Sequence, residues 1–186
     1  MKNIQLPVPI IGQSDRNACV AATSLAIYLY WKGENSKYGY EYEISKLLDR
    51  KLECGSYSEF VSNAFKKLRF KVKYETDLSI EQLQEYLKAG VTIMLFMQGR
   101  FRPKPKNWEN IWNVGHAVAL VGIRGEKIFL MDPRSHSAYV WLPIEEFLDR
   151  WHCIARIGSR DYGSALVISN SKPAAILKQP KLERML

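Results

Sequence analysis

One stretch near the start of the chain differs from the amphipathic segments that follow it. Residues 18–31 are apolar on nearly every side of a helix and carry no charge, which predicts a helix from Cys19 to about Trp31, buried inside the fold. Ser14, Asp15 and Asn17 stand just before it with good capping chemistry, and Gly33 follows as a C-terminal cap. Ahead of them, Pro7 and Pro9 predict an extended lead-in over residues 1–12. Ile44, Leu47 and Leu48 predict a second helix over 42–52. Phe60, Val61, Ala64, Phe65 and Leu68 predict a third over 56–68.

The period then shortens. Residues 70–74 alternate apolar with lysine, which predicts a strand with one apolar face, and 79–89 predict a helix opened by the capping box Ser79 and Gln82 and closed by Gly90. Residues 91–97 are apolar on both faces, as a central strand requires. After a connection over 98–114, longer than most in compact domains, residues 116–123 and 127–131 predict two strands joined by a tight hairpin at 124–126. A strand over 138–142, a helix over 144–151 and a strand over 164–169 complete the pattern. Helices first and a mostly antiparallel sheet afterwards is an α+β arrangement.

Composition narrows this picture. With 186 residues, 47% of them hydrophobic, the chain builds one full core. We expect a single domain over 1–170 and a loosely held basic tail over 171–186. The two early prolines interrupt any signal-peptide core, and the longest uncharged apolar run, about fourteen residues, is short of the roughly twenty a membrane span needs. A cytoplasmic protein without a signal peptide is therefore expected. Three cysteines, Cys19, Cys54 and Cys153, suit a reducing compartment better than a disulfide framework, and no spacing suggests zinc. No cofactor or metal is expected. The net charge of +8 is spread over several segments without a nucleic-acid motif, so no nucleic-acid partner is expected. The basic residues of 98–114, with Trp108 and Trp112 among them, offer either an ordinary exposed insertion or an edge for an acidic partner.

The candidate chemistry begins at Cys19. A thiol at a helix N-terminus is held in a field that favours thiolate, the attacking form. Gln13, six residues earlier, brings an amide donor to the same helix end, where a developing oxyanion could be held. His116 is the lone polar residue at the head of an apolar strand. Asp132 ends the partner strand sixteen residues later, so hairpin pairing brings carboxylate and imidazole together. Nucleophile, base and orienter of the base form a triad. Cys54 and Cys153 lack such a setting and read as structural; His136 and His152 lie outside the pattern.

Gln13 with Cys19, the run from Gly115 to Gly122 around His116, and the Met131-Asp132-Pro133 turn resemble the bacteriocin-processing cysteine peptidases. These are papain-like enzymes found as the peptidase domains of ABC exporters and as stand-alone relatives. The resemblance covers about residues 5–155. It implies a papain-like fold in which an N-terminal helical part carrying the Cys19 helix packs on a sheet carrying His116 and Asp132. It implies Cys19 as nucleophile, His116 as general base and acid, Asp132 as orienter and Gln13 as oxyanion donor, acting through an acyl-enzyme on a peptide or isopeptide bond of a peptide or protein substrate. Papain-like folds also host deamidases, transglutaminases and acyltransferases, and some exporter-linked domains only dock substrate. Stand-alone relatives include secreted effectors and toxins, which makes a host cytosol an alternative compartment. This chain departs from the family at Ala18-Cys19-Val20, where an acidic residue or asparagine and a glycine usually flank the thiol.

Overall fold

A computed structural model of the chain describes residues 6–49, 57–99, 105, 107–155, 158–174 and 181–184, the last of these by backbone alone. The uncharged run forms helix α1 (Cys19–Lys32), in which every residue from Cys19 to Trp31 is buried. Its polar side chains are satisfied by the sheet. Thr23 donates its hydroxyl to the Ala117 carbonyl at 3.0 Å. Trp31 Nε1 donates to Thr92 Oγ1 at 2.9 Å, and that hydroxyl donates onward to the Ile168 carbonyl at 2.7 Å. These bonds hold a helix that could otherwise rotate freely in an apolar environment.

The helix start differs from the sequence expectation in one respect. It begins at Cys19 as expected, but its N-cap is Ala18, which offers no side-chain cap. Asp15 instead accepts from the Asn17 N–H at 2.8 Å within the preceding turn, and Ser14 donates through N–H and hydroxyl to the Glu41 carboxylate at 2.9 and 2.6 Å. A tertiary partner has taken the polar groups that local chemistry would have used as caps.

Glu41 opens helix α2 (Glu41–Leu47), shorter than the expected 42–52: Leu48 closes it and Asp49 turns to φ 47°. Residues 50–52 of that expectation lie outside the described residues. Helix α3 (Ser58–Lys67) and helix α4 (Ile80–Lys88) flank strand β1 (Lys71–Glu75). The α4 capping box forms, with Gln82 N–H donating to Ser79 Oγ at 3.3 Å and Ser79 N–H to Gln82 Oε1 at 2.8 Å.

The sheet contains β2 (Thr92–Gln98), β3 (Gly115–Arg124), β4 (Lys127–Met131) and β5 (Ala138–Pro143), then, after helix α5 (Ile144–Arg150), β8 (Ala165–Ser169) and β9 (Lys181–Arg184). Its order is β1-β8-β2-β3-β4-β5-β9. Strand β2 is buried at all of its positions, as its two-faced apolarity requires. A register shift between Leu120 and Gly122 takes Val121 out of the β3 ladder, and the Val121 carbonyl accepts from Leu6 N–H at 2.7 Å. The lead-in thus crosses the sheet, and Tyr139 secures it by donating to the Val8 carbonyl at 2.6 Å.

Two further features stand apart from the sequence reading. Strands β6 (His152–Ile154) and β7 (Arg160–Tyr162) form a small separate sheet and are too short to carry a periodic signal. Within 171–186, Ala174 N–H donates to the Tyr30 carbonyl at 3.0 Å and β9 adds to β5 as a parallel strand, while residues 175–180 and 185–186 lie outside the described residues. The outer edge of β5 leaves backbone groups open, and pairing with any nearby extended segment satisfies them.

Candidate active site

Three elements converge on one end of the sheet. Cys19 is the first residue of α1, and Thr23, one turn later on the same face, is bonded to the Ala117 carbonyl of β3. That bond aligns the first turn of α1 with His116, the residue before Ala117. Strand β4 pairs antiparallel with β3, and Asp132 follows immediately on its last residue, Met131. His116 Nε2 lies 2.6 Å from Asp132 Oδ1, with both side chains fully buried. Arg134 N–H donates to the same Oδ1 at 2.8 Å, and Ser135 N–H donates to the Asp132 carbonyl at 2.8 Å, so the turn after β4 fixes the carboxylate.

With Nε2 engaged by Asp132, the buried Nδ1 is the ring nitrogen left for the thiol. Burial on its own pushes the Cys19 thiol up. The hydrogen bond and charge of His116, the Ala117 backbone and the Arg134 charge outweigh it, and the net direction is down. Burial likewise pulls His116 down, and the charge and hydrogen bond of Asp132, together with Cys19, raise it above the usual imidazole value. The two shifts have a common cause: each group is stabilised as an ion by the other, the condition for a thiolate–imidazolium pair.

Gln13 sits in the segment before α1, held by its N–H donating to the Pro133 carbonyl at 2.9 Å, directly after Asp132. Its Nε2 donates to the Asp15 carbonyl at 2.6 Å, which uses one of two amide hydrogens. As the first helical residue, Cys19 has a backbone N–H without an intrahelical acceptor.

Cys19 and His116 line a cleft of about 190 Å³ whose walls also include Val20, Tyr74, Phe96, Trp112, Cys153 and Ile154. Val20 stands where the resembled family has glycine, and it is part of the cleft wall. Cys153, read from sequence as structural, lines the same cleft. Its thiol is pushed up by burial, with Ser164 Oγ at 3.2 Å as its hydrogen-bond partner. Cys54 lies outside the described residues. His152 bonds the Ile111 carbonyl through Nε2 at 2.9 Å, and its ring centre is 4.4 Å from that of Trp112, so it holds the cleft wall in place. His136 is exposed and packs over Gly12, where a Cβ would come within 2.3 Å of its Nδ1.

Of the 98–114 connection, residues 100–104 and 106 lie outside the described residues. The remainder carries Trp112 into the cleft and buries Trp108 beneath Arg150, whose guanidinium carbon stands 4.5 Å from the ring centre. Sequence reasoning placed Trp112 in an exposed insertion or an edge for an acidic partner, and it missed Tyr74 and Phe96, which read as ordinary strand positions, and Ile154, to which it assigned no element. Among the described residues no cluster of three or more His, Cys, Asp or Glu side chains could hold a metal, and no helix is long and apolar enough to cross a membrane.

Comparison with known proteins bears on this geometry. The model of a family described as Peptidase C39-like matches residues 5–159. A structure described as a C39-like peptidase from Bacillus anthracis is similar at 20% identity and TM-score 0.66, covering 92% of this chain and 100% of that one. The peptidase domain of Streptococcus ComA, a bi-functional ABC transporter of a quorum-sensing pathway, is similar at 16% identity and TM-score 0.61, covering 88% and 99%. A double-glycine-motif protease from an AMS/PCAT transporter, in complex with its leader peptide, is similar at 21% identity and TM-score 0.57, covering 91% and 94%. No curated protein matches the chain. The fold is thus that of the C39 peptidase domains, the papain-like α+β arrangement expected from sequence.

Proposed function

The chain belongs to the Peptidase C39-like family, and from that premise we propose that it cleaves a peptide or isopeptide bond in a peptide or protein substrate with Cys19, His116 and Asp132 as its catalytic triad. Family and fold support a cysteine peptidase. The observation that carries the finer reading is the buried contact of 2.6 Å between His116 Nε2 and Asp132 Oδ1, with Nδ1 of the same ring left for the thiol of Cys19, which lines the cleft.

In this reading the Cys19 thiolate attacks the scissile carbonyl carbon. The carbonyl π electrons move to oxygen, and the Cys19 backbone N–H and the second amide hydrogen of Gln13 stabilise that oxyanion. The intermediate collapses, the C–N bond breaks, and His116 gives its proton to the leaving amine. A thioester remains on Cys19. His116, now neutral, takes a proton from water, whose oxygen attacks the thioester; the acid product leaves and the thiolate returns beside imidazolium. Asp132 keeps the ring oriented and stabilises it when charged.

The test is a proteome-wide cleavage profile with wild type and Cys19→Ala side by side. New chain termini that require Cys19 are expected. Identical profiles with both proteins would overturn the reading. A deamidation-sized mass increase or an added group, without cleavage, would transfer the same centre to a deamidase, transglutaminase or acyltransferase reaction.

A further inference from the structure

Arg134, two residues beyond Asp132, is absent from the catalytic set read from sequence, yet its backbone bonds Asp132 and its guanidinium lies against Gly99, beside His116. Its backbone N–H donates to Asp132 Oδ1 at 2.8 Å, the oxygen that also faces His116 Nε2. Its side chain turns back across the end of β2 to Gly99. A Cβ on Gly99 would lie 2.6 Å from Arg134 Nη1, 2.9 Å from the Val114 carbonyl oxygen and 3.1 Å from His116 Cβ. The glycine therefore leaves a notch beside His116, and the guanidinium fills it. Gly99 N–H donates to the Val114 carbonyl at 2.7 Å, which fixes the notch from below.

We propose that Arg134 is a positioning residue of the catalytic centre: its backbone N–H anchors the Asp132 carboxylate, and its guanidinium, seated in the Gly99 notch beside His116, supplies a fixed positive charge to that centre. The inference rests on the Cys19–His116–Asp132 reading above. The positive charge of Arg134 acts on Cys19 in the direction of thiolate, after the larger effects of the His116 hydrogen bond and charge and of the Ala117 backbone. A carboxylate next to an imidazolium would otherwise leave the centre with one negative charge in excess when Cys19 is ionised. Arg134 balances it, at a position the half-buried turn after β4 keeps partly out of water. The other ionisable groups lining the cleft are Arg16 from the turn before α1, Tyr57 ahead of α3, Tyr74 of β1 and Cys153 of β6.

The experiment measures iodoacetamide alkylation of Cys19 against pH in wild type, Arg134→Gln and Arg134→Lys, with Cys153 as internal reference and the melting temperature of each protein recorded. In Arg134→Gln the acid limb of the profile should move to higher pH, and labelling at mildly acidic pH should fall about three- to tenfold. Arg134→Lys, which restores the charge, should recover most of that loss. A profile for Arg134→Gln that superposes on wild type, whatever its melting temperature, overturns the proposal. So does an Arg134→Lys protein as slow as Arg134→Gln, since charge would then not be the agent. If Cys19 of the wild type alkylates no faster than Cys153, the triad reading fails and this inference with it.

Discussion

Asp132→Asn separates charge from orientation at the centre. Asp132 is fully buried, and its Oδ1 receives two donors, His116 Nε2 at 2.6 Å and Arg134 N–H at 2.8 Å. An asparagine carbonyl oxygen at the same place accepts from both, so the imidazole keeps its seat and only the negative charge is lost. A hydrogen bond to a charged group contributes about 1.5–3 kcal/mol, against about 0.5–1.5 for a neutral one. With both side chains out of water no discount for solvent screening applies, and the imidazolium loses about 1–2 kcal/mol, a factor of about 5–30 in its population. The sign follows from the directions of the shifts. Asp132 is what raises His116 against the downward pull of burial, and the imidazolium is what lowers Cys19 against the upward push of burial. Removing the carboxylate charge should thus move the acid limb of Cys19 reactivity to higher pH and the alkaline limb, set by loss of the His116 proton, to lower pH. Iodoacetamide labelling followed by peptide mass spectrometry reads the first limb, and kcat/KM on a cleaved peptide reads the second. Labelling of Cys19 at mildly acidic pH should fall about 5- to 30-fold with Cys153 unchanged. An Asp132→Asn protein with the wild-type profile would refute the claim that this carboxylate tunes the thiol through His116.

Two further outcomes test the frame around the site. Thr92→Val removes a fully buried hydroxyl that accepts from Trp31 Nε1 and donates to the Ile168 carbonyl. With two groups left unpaired it should cost about 2–4 kcal/mol and lower Tm by roughly 4–16 °C; an unchanged calorimetric Tm would show that α1 is not tied to the sheet through this hydroxyl. Val20→Gly opens the cleft wall next to Cys19 without touching His116 or Asp132. It should change the relative kcat/KM of peptides that differ beside the scissile bond and leave iodoacetamide labelling of Cys19 within about twofold of wild type, whereas an unchanged ranking of peptides would remove Val20 from substrate selection.

Much of this architecture is local and therefore legible in the residues. The uncharged run of α1, the alternation of β1, the two-faced apolarity of β2 and the capping box of α4 each describe an element's own burial, and burial follows periodicity. The meeting of His116 with Asp132 was legible for a related reason. A tight hairpin between adjacent strands converts sequence separation into spatial proximity by pairing alone. That Gln13 lies just ahead of Cys19 is read from the sequence alone, but the carbonyl that its amide bonds, Asp15, was not legible.

What the sequence by itself determined, then, is most of the elements, the place of Cys19 at the head of a buried helix, and the meeting of His116 with Asp132 across a hairpin. Tertiary structure alone decided the rest. It set β8 between β1 and β2, turned part of the expected loose tail into β9, and gave Ser14 to Glu41 instead of to the helix end. It brought Trp112, Tyr74 and Cys153 to one cleft and laid Arg134 in the notch of Gly99. Each of these joins segments far apart in the chain, and their partners are chosen by which backbone groups and surfaces the packed core leaves open. That choice has no period and no fixed spacing, so it leaves no trace in the pattern of hydrophobic and polar positions from which the elements were read.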